Sequence, residues 1–132
     1  MTTIFTKIIE GELPGRFVYT DEQVVAFLSI APATPGHTLV VPRRELDQWT
    51  DADADLLTHC TLVAQRIGQA QKRAWGAPRA GLAIAGFEVP HMHLHVFPVW
   101  KLADLDIANL PVETDEAALD AAAERLRAAL AD

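Results

Sequence analysis

Residues 90–98 read PHMHLHVFP, with His91, His93 and His95 alternating with Met92, Leu94 and Val96. A repeat of two places alternate side chains on opposite faces of an extended strand, and it does not fit the 3.6-residue repeat of a helix. The stretch therefore commits the chain to a strand over 91–97. One side is apolar and needs a core to cover it; the other carries three imidazoles. Along such a strand, successive histidine α-carbons lie ~6.6 Å apart and the outer pair ~13 Å apart.

The rest of the chain supplies partners for that strand. RFVYT (16–20) and VVAFLSI (24–30) read as strands joined by the polar turn Asp21-Glu22-Gln23, and HTLVVP (37–42) as a third after the breaker-rich loop APATPG. GLAIA (81–85) reads as a fourth strand, with residues 86–90 as a loop before the histidine row. Ile4, Phe5, Ile8 and Ile9 recur at helical spacing behind the possible caps Thr2 and Thr3. TDAD (50–53) has capping-box form, with Thr50 and Asp53 in the reciprocal positions. A long helix should run from there to about Ala74, burying Leu56, Leu57, Cys60, Val63, Ala64 and Ile67. A final helix is expected from about Thr114, with acids early and arginines late as the helix dipole favours. Several β segments, few helices and tight loops predict an α+β domain on an antiparallel sheet of about five strands.

Size and charge exclude some functions. A chain of 132 residues, half of them apolar, can bury a core as one domain without a disulfide or metal. Cys60 is the only cysteine, and the N-terminus has no signal-like pattern, which together predict a cytoplasmic protein. No apolar run approaches the ~20 residues needed to span a bilayer, so no membrane partner is expected. A net charge of −7 disfavours a nucleic-acid duplex, whose binding rests on neutralising phosphates. A small phosphorylated ligand remains compatible, since a few local donors can hold it.

Three readings of the histidine row compete. It can be a solvated polar face. It can be a metal site, with two of the histidines and Glu88 as ligands, although a straight strand holds the outer rings too far apart for all three to share one ion. It can be a nucleophilic site in which one neutral imidazole attacks phosphorus, its other nitrogen anchored by a backbone carbonyl, while neighbouring rings hold phosphate oxygens.

HMHLHVFP resembles the His-x-His-x-His signature of the histidine triad (HIT) superfamily of nucleotide-binding proteins. The stretch TIFTKIIEGELPGRFVYTDEQVVAFLSIAPATPGHTLVVPRRE is similar to the N-terminal half of its Hint branch, so the resemblance spans roughly residues 3–98. It implies a HIT-like domain over 1–100, followed by an extension over 101–132 with a final helix packed on the same domain. It implies a hydrolase or transferase acting on a nucleoside phosphoramidate or related phosphoester. His93 would form a covalent nucleotidyl-histidine, His91 and His95 would orient and protonate around the phosphate, and His37 would hydrogen-bond within the cluster. The positions matching the family's purine nucleotide cleft are Ile4, Phe5, Leu13, Phe27, Ser29, Ile30, Leu39, Glu88 and Val89. A two-fold homodimer, paired through the long helix and the strand near 81–85, is also implied, and no cofactor.

This sequence departs from that pattern in three places. Relatives that carry a structural zinc hold it with a C-x-x-C and a later histidine; Thr3, Thr6 and Glu45 stand there instead, which predicts no such metal. Ser29 replaces an aspartate that accepts from the ribose hydroxyls. Gly86, Phe87 and Glu88 replace a Gly-Gln-Ser run, in a shortened loop, and Glu88 sets a carboxylate where phosphate is expected. Two alternatives follow from these departures: a nucleotide-binding or interaction protein without catalysis, and a metal-dependent enzyme using two triad histidines.

Overall fold

The computed structural model describes residues 2–132. Helix α1 (Ile4–Ile9) is capped by Thr3, whose hydroxyl accepts from the Thr6 amide. Strands β1 (Phe17–Thr20), β2 (Val24–Leu28) and β3 (Thr38–Pro42) follow, then α2 (Ala54–Trp75), β4 (Arg79–Ala83), β5 (Leu94–Val99) and α3 (Glu116–Ala131). The five strands form one antiparallel sheet in the order β1-β2-β3-β5-β4, the α+β architecture expected. The turn between β1 and β2 is set by Asp21, whose carboxylate accepts from the amides of Gln23 and Val24.

Alternation divides the sheet into two faces. Val24, Ala26, Leu28, Val40, Leu94 and Val96 pack under α2 and α3, with Cys60, Val63, Ala64, Ile67, Ala123 and Leu126. Val25, Phe27, Leu39 and Val41 point the other way, onto Phe5 of α1. Leu39 pairs with His95 across the ladder, and cross-strand partners share a face. His95 therefore lies on the α1 side, as do His91 and His93, which meet Phe5, and Met92, Leu94 and Val96 lie in the α2 core.

Several boundaries differ from expectation, among them the end of β2, which stops at Leu28 rather than Ile30. Strand β5 begins at Leu94, not at His91, because the preceding amides leave the ladder: His91 N–H donates to the Val89 carbonyl at 2.8 Å and Met92 N–H to Leu46 at 2.6 Å. Strand β4 spans Arg79–Ala83, and Ala85 instead belongs to the wall of a cavity. Helix α2 is capped by Asp53, whose carboxylate accepts from the Leu56 amide at 2.8 Å, while Thr50 lies in a separate 3-10 turn over Trp49–Asp51. A carboxylate directly before the first turn gains both the cap bond and the helix dipole, which a start at Thr50 would forfeit. Beyond residue 100 the chain crosses back over the sheet. Glu113 N–H donates to the Ile30 carbonyl at 2.7 Å, and α3 buries Leu119, Ala123, Leu126 and Ala129. No helix among the described residues is long and apolar enough to cross a membrane.

Candidate active site

At the end of the α1 face where β2 and β3 run into the 29–37 loop, a cavity of about 380 Å³ opens. Its lining includes His37, His93 and His95, with Ser29 on one side, Gly86, Phe87 and Glu88 on another, and residues 107–110 closing the far wall. The size suits a small organic ligand.

Hydrogen bonds fix the proton on each ring. The Ala33 amide, which can only donate, points at His37 Nδ1 at 2.9 Å. That nitrogen is the acceptor, so the proton of neutral His37 sits on Nε2. Nε2–H then donates to His95 Nδ1 at 2.9 Å, which leaves the His95 proton on its own Nε2. His93 Nδ1 faces the His91 carbonyl at 2.8 Å and must donate to it. Its Nε2 therefore carries a bare lone pair. The His93 and His95 ring centroids are 4.9 Å apart, so a ring with an unprotonated Nε2 and a ring with an Nε2–H donor stand side by side at the cavity.

Burial keeps the cluster neutral. His37 is pushed down to about 3, first by loss of water and then by repulsion from His95 and His93. His95 is lowered to about 4 by burial, with a further contribution from His93. His93 is also lowered, chiefly by burial; its bond to His91 and the Glu88 carboxylate act in the opposite sense. A neutral ring is what a nucleophilic imidazole requires at ordinary pH.

His91 is placed differently from its neighbours. Its ring is fully buried, with Nε2 2.7 Å from the Pro42 carbonyl and Nδ1 2.7 Å from Thr3 Oγ1. With both nitrogens engaged on the protein, the ring cannot orient or protonate a phosphate, and only its backbone carbonyl reaches His93. The alternation put it on the correct face; the turn of the chain before β5 carried its ring away from the cavity.

The expected nucleotide positions also divide. Ser29 and Glu88 line the cavity. Phe5, Phe27 and Leu39 form the buried cluster beneath the rings, with Val89 packed against it, and Phe5 meets His93 edge-on at 4.9 Å. Ile4, Leu13 and Ile30 are largely solvent-exposed and do not line the cavity. Two further residues at the site carry no mark in the sequence. Asn109 sits in the left-handed region at φ 56° and lines the cavity. Gln71 of α2 is fully buried, and its amide donates to the carbonyls of Gly36 and Val96, the neighbours of His37 and His95. Nothing in the apolar periodicity of α2 marks a glutamine as a buried clamp.

A structural zinc does not fit the positions where zinc-bearing relatives hold one. Glu45 Oε1 accepts from Thr3 N–H at 2.7 Å and from the Thr6 hydroxyl at 2.8 Å, and Thr3 occupies His91. Structural zinc is held by thiolates and imidazoles, whereas this set is two hydroxyls, a carboxylate and an imidazole already satisfied by its neighbours.

A family model described as the HIT domain matches residues 10–101. An uncharacterized HIT-like protein of Mycobacterium tuberculosis is 35% identical over 136 residues, covering 99% of this chain and 94% of that protein. That alignment carries the likeness through the segment after Pro98, which by itself suggested no family. A zinc-bound histidine triad family protein of Mycobacterium smegmatis superposes with a TM-score of 0.82 at 30% identity, covering 99% of this chain and 94% of its own. A hypothetical histidine triad nucleotide-binding protein of Sulfolobus tokodaii superposes with a TM-score of 0.80 at 28% identity, covering 96% and 91%. Sheet order, the buried apolar side of the histidine strand and the domain match agree: the chain belongs to the histidine triad (HIT) family.

Proposed function

We propose that this protein is a nucleotide hydrolase or nucleotidyl transferase working through a covalent intermediate on His93. One observation carries the reading: His93 Nδ1–H is anchored on a backbone carbonyl while Nε2, unprotonated, belongs to a ring lining the cavity. In the proposed reaction Nε2 attacks the α-phosphorus of a purine nucleoside phosphoramidate or related phosphoester. A P–N bond to the histidine forms, and the bond from phosphorus to the leaving group breaks. The leaving group departs with the electron pair and takes a proton from water. His95 Nε2–H donates to a non-bridging phosphate oxygen, and His37 holds His95 in that tautomer. Water then attacks the same phosphorus and gives up a proton to solvent, the P–N bond breaks with its electron pair returning to His93 Nε2, and a nucleoside monophosphate leaves. Ser29 lines the sugar side and Glu88 the phosphate side of this pose. The nucleotide-binding relative from Sulfolobus tokodaii supports the ligand class.

Incubation with adenosine phosphoramidate tests the reaction. Wild type should release AMP, and His93→Ala should lose about 10⁴-fold in kcat or more, the scale of deleting a nucleophile. Turnover by wild type no greater than by His93→Ala would sink the enzyme reading. Tight nucleotide binding without turnover would favour a binding protein, a reading that the Glu88 carboxylate at the cavity also supports. We read the protein as cytoplasmic, from its single cysteine, and as a homodimer. The free edge of β4 and the exposed Leu82 and Leu62 support pairing through that strand and α2. Sedimentation at micromolar concentration should give twice the chain mass, and a monomer there would refute the pairing.

A further inference from the structure

Helix α1 does more than cover the sheet, because its first residues connect to the reacting ring by two routes. Phe5 packs edge-on against both His93 and His91, with centroids 4.9 Å and 5.9 Å away. The second route is polar. In the neutral ring His91 Nε2, which faces only the Pro42 carbonyl, an acceptor, carries the proton and Nδ1 accepts. The Thr3 hydroxyl, 2.7 Å from Nδ1, is then the donor, and it accepts in turn from the Thr6 amide at 3.2 Å. Glu45 grips the same residue from outside, through Thr3 N–H and the Thr6 hydroxyl.

We infer that Thr3, backed by Glu45, is a positioning residue for His93: its hydroxyl locks the His91 ring and hence the carbonyl that holds the His93 Nδ1 proton. The inference rests on the proposed role of His93. The His91 carbonyl stands outside the β3–β5 ladder, which begins at Leu94, so no strand pairing holds it. What holds it are the His91 ring, the amide bond of Met92 to Leu46, and the bond of His91 N–H to Val89. Without the Thr3 hydroxyl, Nδ1 of a fully buried ring has no donor. The ring then turns or changes tautomer, and the carbonyl moves with it. His93 is released to carry its proton on Nε2, which removes the nucleophile without altering the ligand's contacts.

The test compares Thr3→Val, Thr3→Ser and Thr3→Asp, reading imidazole ¹⁵N shifts and steady-state kinetics with adenosine phosphoramidate. Wild type should show His91 protonated on Nε2 and His93 on Nδ1. Thr3→Val should give mixed tautomers at His93 and a kcat about tenfold or more lower, with KM unchanged, as expected when a reacting group is misplaced rather than the ligand. Thr3→Ser should restore both. Thr3→Asp caps α1 as well as threonine does but has no proton to give His91, so it should stay impaired; it also serves if Thr3→Val does not fold. Wild-type tautomers and kcat in Thr3→Val, or recovery in Thr3→Asp, would overturn the inference by reducing Thr3 to a helix cap. If wild type itself turns nothing over, the enzyme reading fails, and the tautomers still decide the relay.

Discussion

Where α2 and α3 cover the sheet, Val24, Ala26, Val40, Leu94 and Val96 meet Ile67, Ala123 and Leu126 in a continuous apolar layer. Where α1 covers it, a smaller cluster of Phe5, Val25, Phe27, Leu39 and Val41 gives way to four histidines and a cavity. The same strands supply both sides. The contrast shows how one alternating stretch divides its work: Met92, Leu94 and Val96 hold the fold, and His91, His93 and His95 between them face the other way. Buried imidazoles are tolerated on the second side because burial holds His37, His93 and His95 in their neutral forms and the Nδ1 of each has a hydrogen-bond partner.

That division can be broken by experiment. The largest expected effect lies on the closed side. Leu126→Ala should cost about 2–5 kcal/mol of stability, as truncation of a fully buried leucine does, while turnover per folded molecule stays the same. Denaturant unfolding followed by both fluorescence and circular dichroism checks this. A single transition would show α3 folding with the sheet, and an early separate transition would make the last 32 residues, 101–132, an independent appendage. On the open side, His37→Leu should lower kcat by about tenfold to a hundredfold, since His95 loses the donor that sets its tautomer. Wild-type kcat in that variant would dissolve the proposed relay.

A separate effect is expected in acid. His37 and His95 have folded values of about 3 and about 4, below the ordinary 6.5, so folding favours their neutral forms. A group lowered in this way adds stability that is complete above about pH 6.5 and is lost as pH falls toward 4. The melting temperature should therefore decline over that interval, and His37→Leu should decline less. An equal decline in both proteins would place that acid sensitivity elsewhere; Asp21 would act only at lower pH, since its lowered carboxyl loses its contribution below the unfolded value of 3.8. The amides of Gln23 and Val24, Tyr19 and His59 hold its carboxyl well below the usual range, against the opposing effect of burial.

Much of this was legible in the chain. The period of two across Met92, Leu94 and Val96 determined a strand with a buried side, and breaker residues delimited the other strands. The helical spacing of Leu56, Cys60, Val63 and Ile67 determined α2. Local alternation and apolar periodicity dictate such features without reference to distant residues. What alternation could not show is which way a histidine ring turns once its strand ends. His91 shares a face with His93, yet Thr3 and Pro42, 88 and 49 residues away, decide that its ring is sealed inside, and only its carbonyl meets the His93 ring. The tautomers of His37 and His95 depend likewise on the Ala33 amide, and the cavity's far wall on residues 107–110. Hydrogen-bond donors and acceptors are assigned by who is nearby in space, and that follows only from the folded chain.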